Sequence, residues 1–200
     1  MMTGQPPTVL VLAAGRGQRF TASGGTVHKL DALLDGVPVL QHVLNAVTAS
    51  GLPCHVIRPT NGPSRDLDGM GDSIARGVSA TADAAGWLIL PGDLPLIQPD
   101  SLLQVAHALS SAPVVMPFWQ HRHGHPVGFD RTCRDALMTL CGDTGAAAIV
   151  RSHRQTGQVR ELALDDPGTV VDIDTQNDLA QAEARLAIRR SHQEQHHGKR

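Results

Sequence analysis

The sequence predicts an α/β protein: a doubly wound, mostly parallel sheet covered by helices. Three observations carry that expectation. Short runs of Val, Leu and Ile alternate with helical stretches along the whole chain, the rhythm of right-handed strand–helix–strand crossovers. The first run, residues 8–13, is β-branched and aliphatic throughout rather than at every second residue, as in a strand buried on both faces. The interior must also be aliphatic, because 200 residues include only three Phe, two Trp and no Tyr.

Taken in order, residues 8–13 (TVLVLA) read as the first buried strand, followed by a Gly-rich loop over 15–26. Pro38 in the first turn and Gly51 past the end bracket a helix over 39–50. A second strand follows at 54–57, a helix at 72–85, and a third strand at 87–90 that ends in Pro91-Gly92-Asp93. Pro99 and Asp100 open a helix to about Ser110, and 114–118 is a strand, with Phe129 near the end of the connection after it. Helices over 131–140 and 144–152, short strands over 158–162 and 170–173, and an amphipathic helix over 178–190 complete the pattern. One domain over residues 1–190 and a flexible polar tail over 191–200 are expected.

Composition narrows the function. A formal net charge of −2 gives no electrostatic footprint for nucleic acid, and stacking platforms need aromatics the chain lacks. Cys54, Cys133 and Cys141 form no CxxC pair, as expected of a reduced protein. No basic segment precedes the first apolar run and no run is long enough to span a bilayer, so the expectation is a cytoplasmic protein without a membrane partner.

Ligands of such sheets bind beyond the carboxyl ends of the strands. The loop Leu12-Ala13-Ala14-Gly15-Arg16-Gly17-Gln18-Arg19 lies there. Its glycines let backbone N–H groups approach phosphate oxygens, and Arg19 and Lys29 add charge-assisted contacts suited to a triphosphate. The loop is not a dinucleotide fingerprint, since Phe20 replaces the third glycine and Arg58 stands where the second strand should end in an acid. It is not a Walker loop either, for no Gly-Lys-Ser/Thr follows. Asp93, at the end of the third strand, is placed to hold Mg²⁺, which favours one or two carboxylates plus substrate phosphates. A second carboxylate is expected from Asp172-Ile173-Asp174-Thr175 before the last helix, with Asp174 the first choice and Asp172 the second. His121, His123 and His125 are spaced by two, but no Cys or carboxylate accompanies them, and a polar loop strand is the simpler reading.

With Lys29-Leu30, the loop resembles the signature of the molybdenum-cofactor nucleotidyltransferases, most closely their cytidylyltransferase branch, within a wider group that includes sugar-nucleotide pyrophosphorylases. The resemblance continues in order through the turn Asp68-Gly69-Met70-Gly71-Asp72-Ser73, the block Gly124-His125-Pro126-Val127-Gly128 and the block Gly142-Asp143-Thr144-Gly145-Ala146-Ala147. It implies a Rossmann-like nucleotidyltransferase fold in which Leu12, Ala13, Ala14, Gly15, Gly17, Arg19 and Lys29 hold the triphosphate. Gly69 and Ser73 would contact the base or ribose, His125 and Pro126 would border the acceptor, and Asp93 with Asp174 or Asp172 would bind the metal. Arg19, Lys29 and Asp93 are the implied catalytic set. The implied substrates are CTP or GTP and a molybdopterin-type acceptor, with a molybdenum hydroxylase as downstream partner.

Ala14 stands where guanylyl-transferring relatives usually carry glycine and cytidylyl-transferring ones alanine, so CTP is expected. Two departures stand out: residues 21–28 lengthen the stretch between Arg19 and Lys29, and Ala147 replaces the usual arginine. Two other readings remain open on the sequence: an NAD(P)-linked oxidoreductase, and a chaperone that binds molybdenum cofactor without catalysis.

Overall fold

The computed structural model describes residues 5–15, 17–59 and 69–197. The first strand, β1 (Thr8–Leu12), is the axis of the site-bearing half, pairing in parallel with β4 (Cys54–Ile57) on one side and β5 (Gly86–Pro91) on the other. Beyond β5 come β8 (Val127–Asp130) and β6 (Val114–Trp119), with β8 antiparallel to both, then the short β7 (Arg122–His123) and the parallel edge strand β9 (Val159–Ala163) on β6. The seven strands run in the order β4-β1-β5-β8-β6-β7, with β9 also on β6, giving the mostly parallel sheet expected. Among the described residues no helix is long and apolar enough to cross a membrane.

Side chains alternate across β1 and build two cores. Val9 and Val11 face one layer with Leu88 and Leu90, while Leu10 faces the other with Trp87 and Ile89. Helices α2 (Val39–Ser50) and α4 (Pro99–Ala108) cover the first layer, as does Ala182 of α7 (Gln176–His197). The second layer is covered by α3 (Met70–Ala80), α5 (Arg134–Met138) and α6 (Ala147–Gln155). Fully burying each large aliphatic side chain stabilises by about 1.5–3 kcal/mol, and in these layers the central strands are closed on both faces.

Several expected elements differ. Phe129 lies inside β8 rather than in a connection, because Gln120 and His121, both at positive φ, turn the chain back against β6. Residues 170–173 form no strand: after a 3-10 turn at Pro167–Thr169, Ile173 N–H makes a single bond to the Asp93 carbonyl (2.9 Å), and β9 already occupies the β6 edge. The Gly-rich loop contains α1 (Gln18–Ala22), which is anchored by the fully buried Phe20. The 131–140 helix is a 3-10 turn at Arg131–Cys133 followed by α5, and the 144–152 helix begins only at Ala147, after the Gly142–Gly145 loop. Helix α7 continues to His197 instead of ending at Arg190, since no Gly or Pro interrupts the stretch before Gly198.

Between β1 and α2, β2 (Leu33–Leu34) and β3 (Val37–Pro38) form a hairpin. Its turn, Asp35-Gly36, has positive φ at both residues, the Asp-Gly chemistry of tight hairpins.

Candidate active site

A cleft of about 720 Å³ opens at the carboxyl ends of β1 and β5. One wall is the loop after β1, through Leu12, Ala14, Gly15 and Gln18; the floor is Lys29, Leu30, Pro91 and Asp93; the far wall is Gly69, Met70, Ser73, Gly142 and Asp143.

Local chemistry fixes each wall. Ala13 N–H binds the Ile57 carbonyl (2.9 Å) and Gly92 N–H the Leu12 carbonyl (2.9 Å), tying the ends of β4, β1 and β5 together. A Cβ at Gly92 would sit 3.0 Å from that same carbonyl, which is why the turn after β5 carries glycine. Gly17, at φ 63°, opens α1 in the left-handed region. His28 braces the loop: its Nε2 lies 2.8 Å from the Gly15 carbonyl, and its Nδ1 accepts the Leu30 N–H at 3.3 Å. That pairing assigns the ring proton to Nε2. The added residues 21–28 thus fold back on the Gly loop and end with Lys29 at the floor of the cleft.

On the far wall, one Asp72 carboxylate oxygen accepts N–H bonds from both Gly69 (2.9 Å) and Gly142 (2.9 Å), while Gly71 N–H binds the Gly142 carbonyl (2.8 Å). A Cβ on Gly69 would fall 2.0 Å from Gly142 backbone atoms, so only glycine permits this approach. Two sequence blocks some 70 residues apart become one unit.

The charged centre joins three segments. Lys29 Nζ lies 2.7 Å from Asp93 Oδ2 and 2.9 Å from Asp174 Oδ1, and Arg19 Nη1 is 2.6 Å from Asp174 Oδ2. Burial works against the Lys29 charge, but the two carboxylates outweigh it and hold the lysine above its ordinary pKa. The hydrogen bond from Lys29 overcomes burial and, with Arg19, holds Asp174 below the usual carboxylate value. Asp93 Oδ1 is buried and has no hydrogen-bond partner among the described residues.

Of the residues expected from sequence, Leu12, Ala14, Gly15, Lys29, Gly69, Ser73 and Asp93 line the cleft, and Arg19 and Asp174 join it through the ion pairs. Ala13 is buried behind the loop. Asp172 is exposed; strand alternation was expected to put it on the face of Asp174, but the segment is not a strand. His125 and Pro126, on the β7–β8 connection, are not among the residues lining the cleft, although His125 is within electrostatic reach of Asp93. Burial lowers the His125 pKa against the Ile89 carbonyl, Asp93 and Asp172, and its Nδ1 has no partner among the described residues. His121, His123 and His125 do not converge: His123 pairs with Glu161 at 3.2 Å, and among the described residues no three or more His, Cys, Asp or Glu side chains gather as a metal cluster. Arg16 and Asp68 lie outside the described residues.

Gln18, Leu30, Met70, Pro91, Gly142 and Asp143 were missed as lining residues, and Asp72 as the clamp between the walls. The Gly69-to-Asp72 spacing of a helix start was the legible signal for that clamp.

A Gly-rich turn after the first strand, opening onto paired basic and acidic side chains at the strand ends, places the chain among the α/β proteins that handle nucleoside triphosphates. Comparison with known families matches residues 9–157 to the MobA-like NTP transferase domain, and the chain belongs to that nucleotidyltransferase family. It is 29% identical over 204 aligned residues to the bifunctional protein GlmU of Xanthomonas axonopodis pv. citri, an alignment covering 89% of this chain and 42% of that one. The chain therefore spans about two fifths of that relative's length.

Among solved structures, a nucleotidyl transferase from Methanothermobacter superposes with a TM-score of 0.77 at 21% identity, over 92% of this chain and 99% of that one. The manganese complex of Rv0371c from Mycobacterium tuberculosis H37Rv gives 0.67 at 23%, over 90% and 98%. Molybdopterin-guanine dinucleotide biosynthesis protein A from Archaeoglobus fulgidus gives 0.63 at 15%, over 90% and 98%. These three are similar in fold.

Proposed function

We propose that the chain is a Mg²⁺-dependent nucleotidyltransferase that moves a nucleotide, CMP from CTP, onto a phosphorylated acceptor of the molybdopterin type and releases pyrophosphate. The observation that carries this reading is the convergence of Lys29, Asp93 and Asp174 at the floor of a cleft lined on one side by Leu12, Ala14, Gly15 and Gln18. In this reading Gly15 and Gly17 offer backbone N–H groups to the phosphates, and Arg19 and Lys29 bind them through charge-assisted bonds. Gly69 and Ser73 border the base and ribose, and His125 and Pro126 lie towards the acceptor.

The donor set fits a hard divalent cation: two carboxylates, one with a buried oxygen that has no partner among the described residues. Asp93 and Asp174 would hold it, and the exposed Asp172 has less support. Bound there, the cation would neutralise charge developing on the α-phosphate and the departing pyrophosphate. The chain needs no general base, because an acceptor phosphate is already ionised at neutral pH; its residues position the reactants for in-line attack.

The molybdopterin acceptor draws support from the sequence blocks and from the name of the Archaeoglobus neighbour, a molybdopterin-guanine dinucleotide biosynthesis protein. The test is pyrophosphate release with CTP or GTP against molybdopterin, its molybdenum-loaded form and a sugar 1-phosphate. Release that requires molybdopterin and favours CTP is expected. Turnover with the sugar phosphate alone would replace the acceptor, and turnover with none of them would remove the transferase reading.

A further inference from the structure

Lys29 stands between two carboxylates at the place a divalent cation is expected to take, with Nζ 2.7 Å from Asp93 and 2.9 Å from Asp174. We propose that Lys29 is the resident counter-ion of the metal site: in the free protein its ammonium holds Asp93 and Asp174 together and opposes a bare divalent cation, and the triphosphate draws it away, so that metal and nucleotide enter together. The inference rests on the reading of the cleft given above and adds the order and coupling of binding.

Charge and burial support it. Asp93, Asp174, Lys29 and Arg19 form a cluster whose formal charges cancel. The Lys29 and Asp93 side chains are only 12% and 17% exposed, so bulk salt screens their pairing weakly. A divalent cation arriving alone meets engaged oxygens and two positive side chains.

A triphosphate changes the balance. Its oxygens offer Lys29 and Arg19 new anionic partners, and the flexible lysine stem can follow them while the carboxylates stay in place. Ile173 N–H, bonded to the Asp93 carbonyl, keeps the two acidic segments joined when the lysine leaves. Asp93 Oδ1, buried and without a hydrogen-bond partner among the described residues, is the oxygen that the lysine leaves unengaged. If the nucleotide removes the cation's competitor, each ligand must tighten the other by the same factor.

The test uses the full chain and Mn²⁺ as the probe, without acceptor, so that turnover plays no part. Mn²⁺ affinity is measured by electron paramagnetic resonance with and without CTP in wild type, Lys29→Met and Arg19→Met. Wild type should bind Mn²⁺ weakly alone and about tenfold or more tightly with CTP, while Lys29→Met binds Mn²⁺ alone about tenfold tighter than wild type, from loss of one close positive charge. The melting temperature of Lys29→Met should fall in EDTA and recover with Mn²⁺, whereas wild type responds little.

Arg19 is exposed, so Arg19→Met keeps the fold and carries the test should Lys29→Met fail to fold even with Mn²⁺. Its affinity for Mn²⁺ alone should rise about threefold, and no rise would then overturn the proposal. A folded Lys29→Met that binds Mn²⁺ no tighter than wild type also overturns the counter-ion role, and Mn²⁺-dependent CTP binding by wild type would still leave the nucleotide site standing. Absence of Mn²⁺-dependent CTP binding in wild type would remove that site and this inference together.

Discussion

Ala14 ends the backbone run out of β1 and lines the cleft, so its methyl group occupies space a glycine would leave open. A purine needs more room than cytosine. Ala14→Gly is expected to raise kcat/KM for GTP relative to CTP, by a margin of about 1–3 kcal/mol typical of excluding a few atoms. Kinetics with both nucleotides check this, and an unchanged ratio would take base selection away from Ala14. Lys29 and Asp93 were legible in the sequence because each follows a local signal: a basic residue trailing a Gly-rich loop, and a carboxylate after a buried strand. Asp174 was ranked above Asp172, but both were set on one face, because period-two alternation was assumed where residues 170–173 form no strand. The role of His28 was hidden for another reason: its partner, the Gly15 carbonyl, is set by how residues 21–28 fold back.

Among the elements, α2 and β4 fall at the expected positions, since Pro38, Gly51 and Pro53 punctuate them in the sequence. The antiparallel β8 was not legible. Its place between β5 and β6 depends on a reversal at Gln120–His121, where neither residue is one that favours positive φ enough to announce a turn. The far wall of the cleft is likewise a product of tertiary structure, for Asp72 needs Gly142 as well as its neighbour Gly69. Asp72→Ala leaves both N–H groups without their acceptor, at a cost of about 1–3 kcal/mol. It should lower the melting temperature and raise KM for the nucleotide, through a loosened wall, with a smaller effect on kcat. A variant with wild-type stability and KM would show that backbone packing alone holds the two loops.

For the whole molecule, the aliphatic composition favoured strands under helices over a sandwich, and the two core layers are mostly aliphatic, with Trp87, Phe20 and Phe129 fully buried among them. The second layer holds Cys133, whose thiol burial, with the Asp130 carboxylate nearby, pushes its pKa up to about 11 from the ordinary 9.0. The folded state therefore keeps a proton that the unfolded chain gives up first. Its contribution is complete below pH 9 and is lost as pH rises through about 11. Melting temperatures from pH 8 to 11 should fall more steeply for wild type than for Cys133→Ala, and parallel profiles would contradict the shift. The β1–β5 framework serves chiefly to bring Asp93 to the cleft, so removing that carboxylate tests the proposed activity most directly. Pyrophosphate release with Mg²⁺, CTP and molybdopterin should be measured for wild type and Asp93→Ala, with circular dichroism confirming the fold. A folded Asp93→Ala protein should lose at least about a hundredfold in rate, as expected when a metal-held charge stabilisation of several kcal/mol is removed. Release within a few-fold of wild type would contradict a metal-dependent transfer at this site.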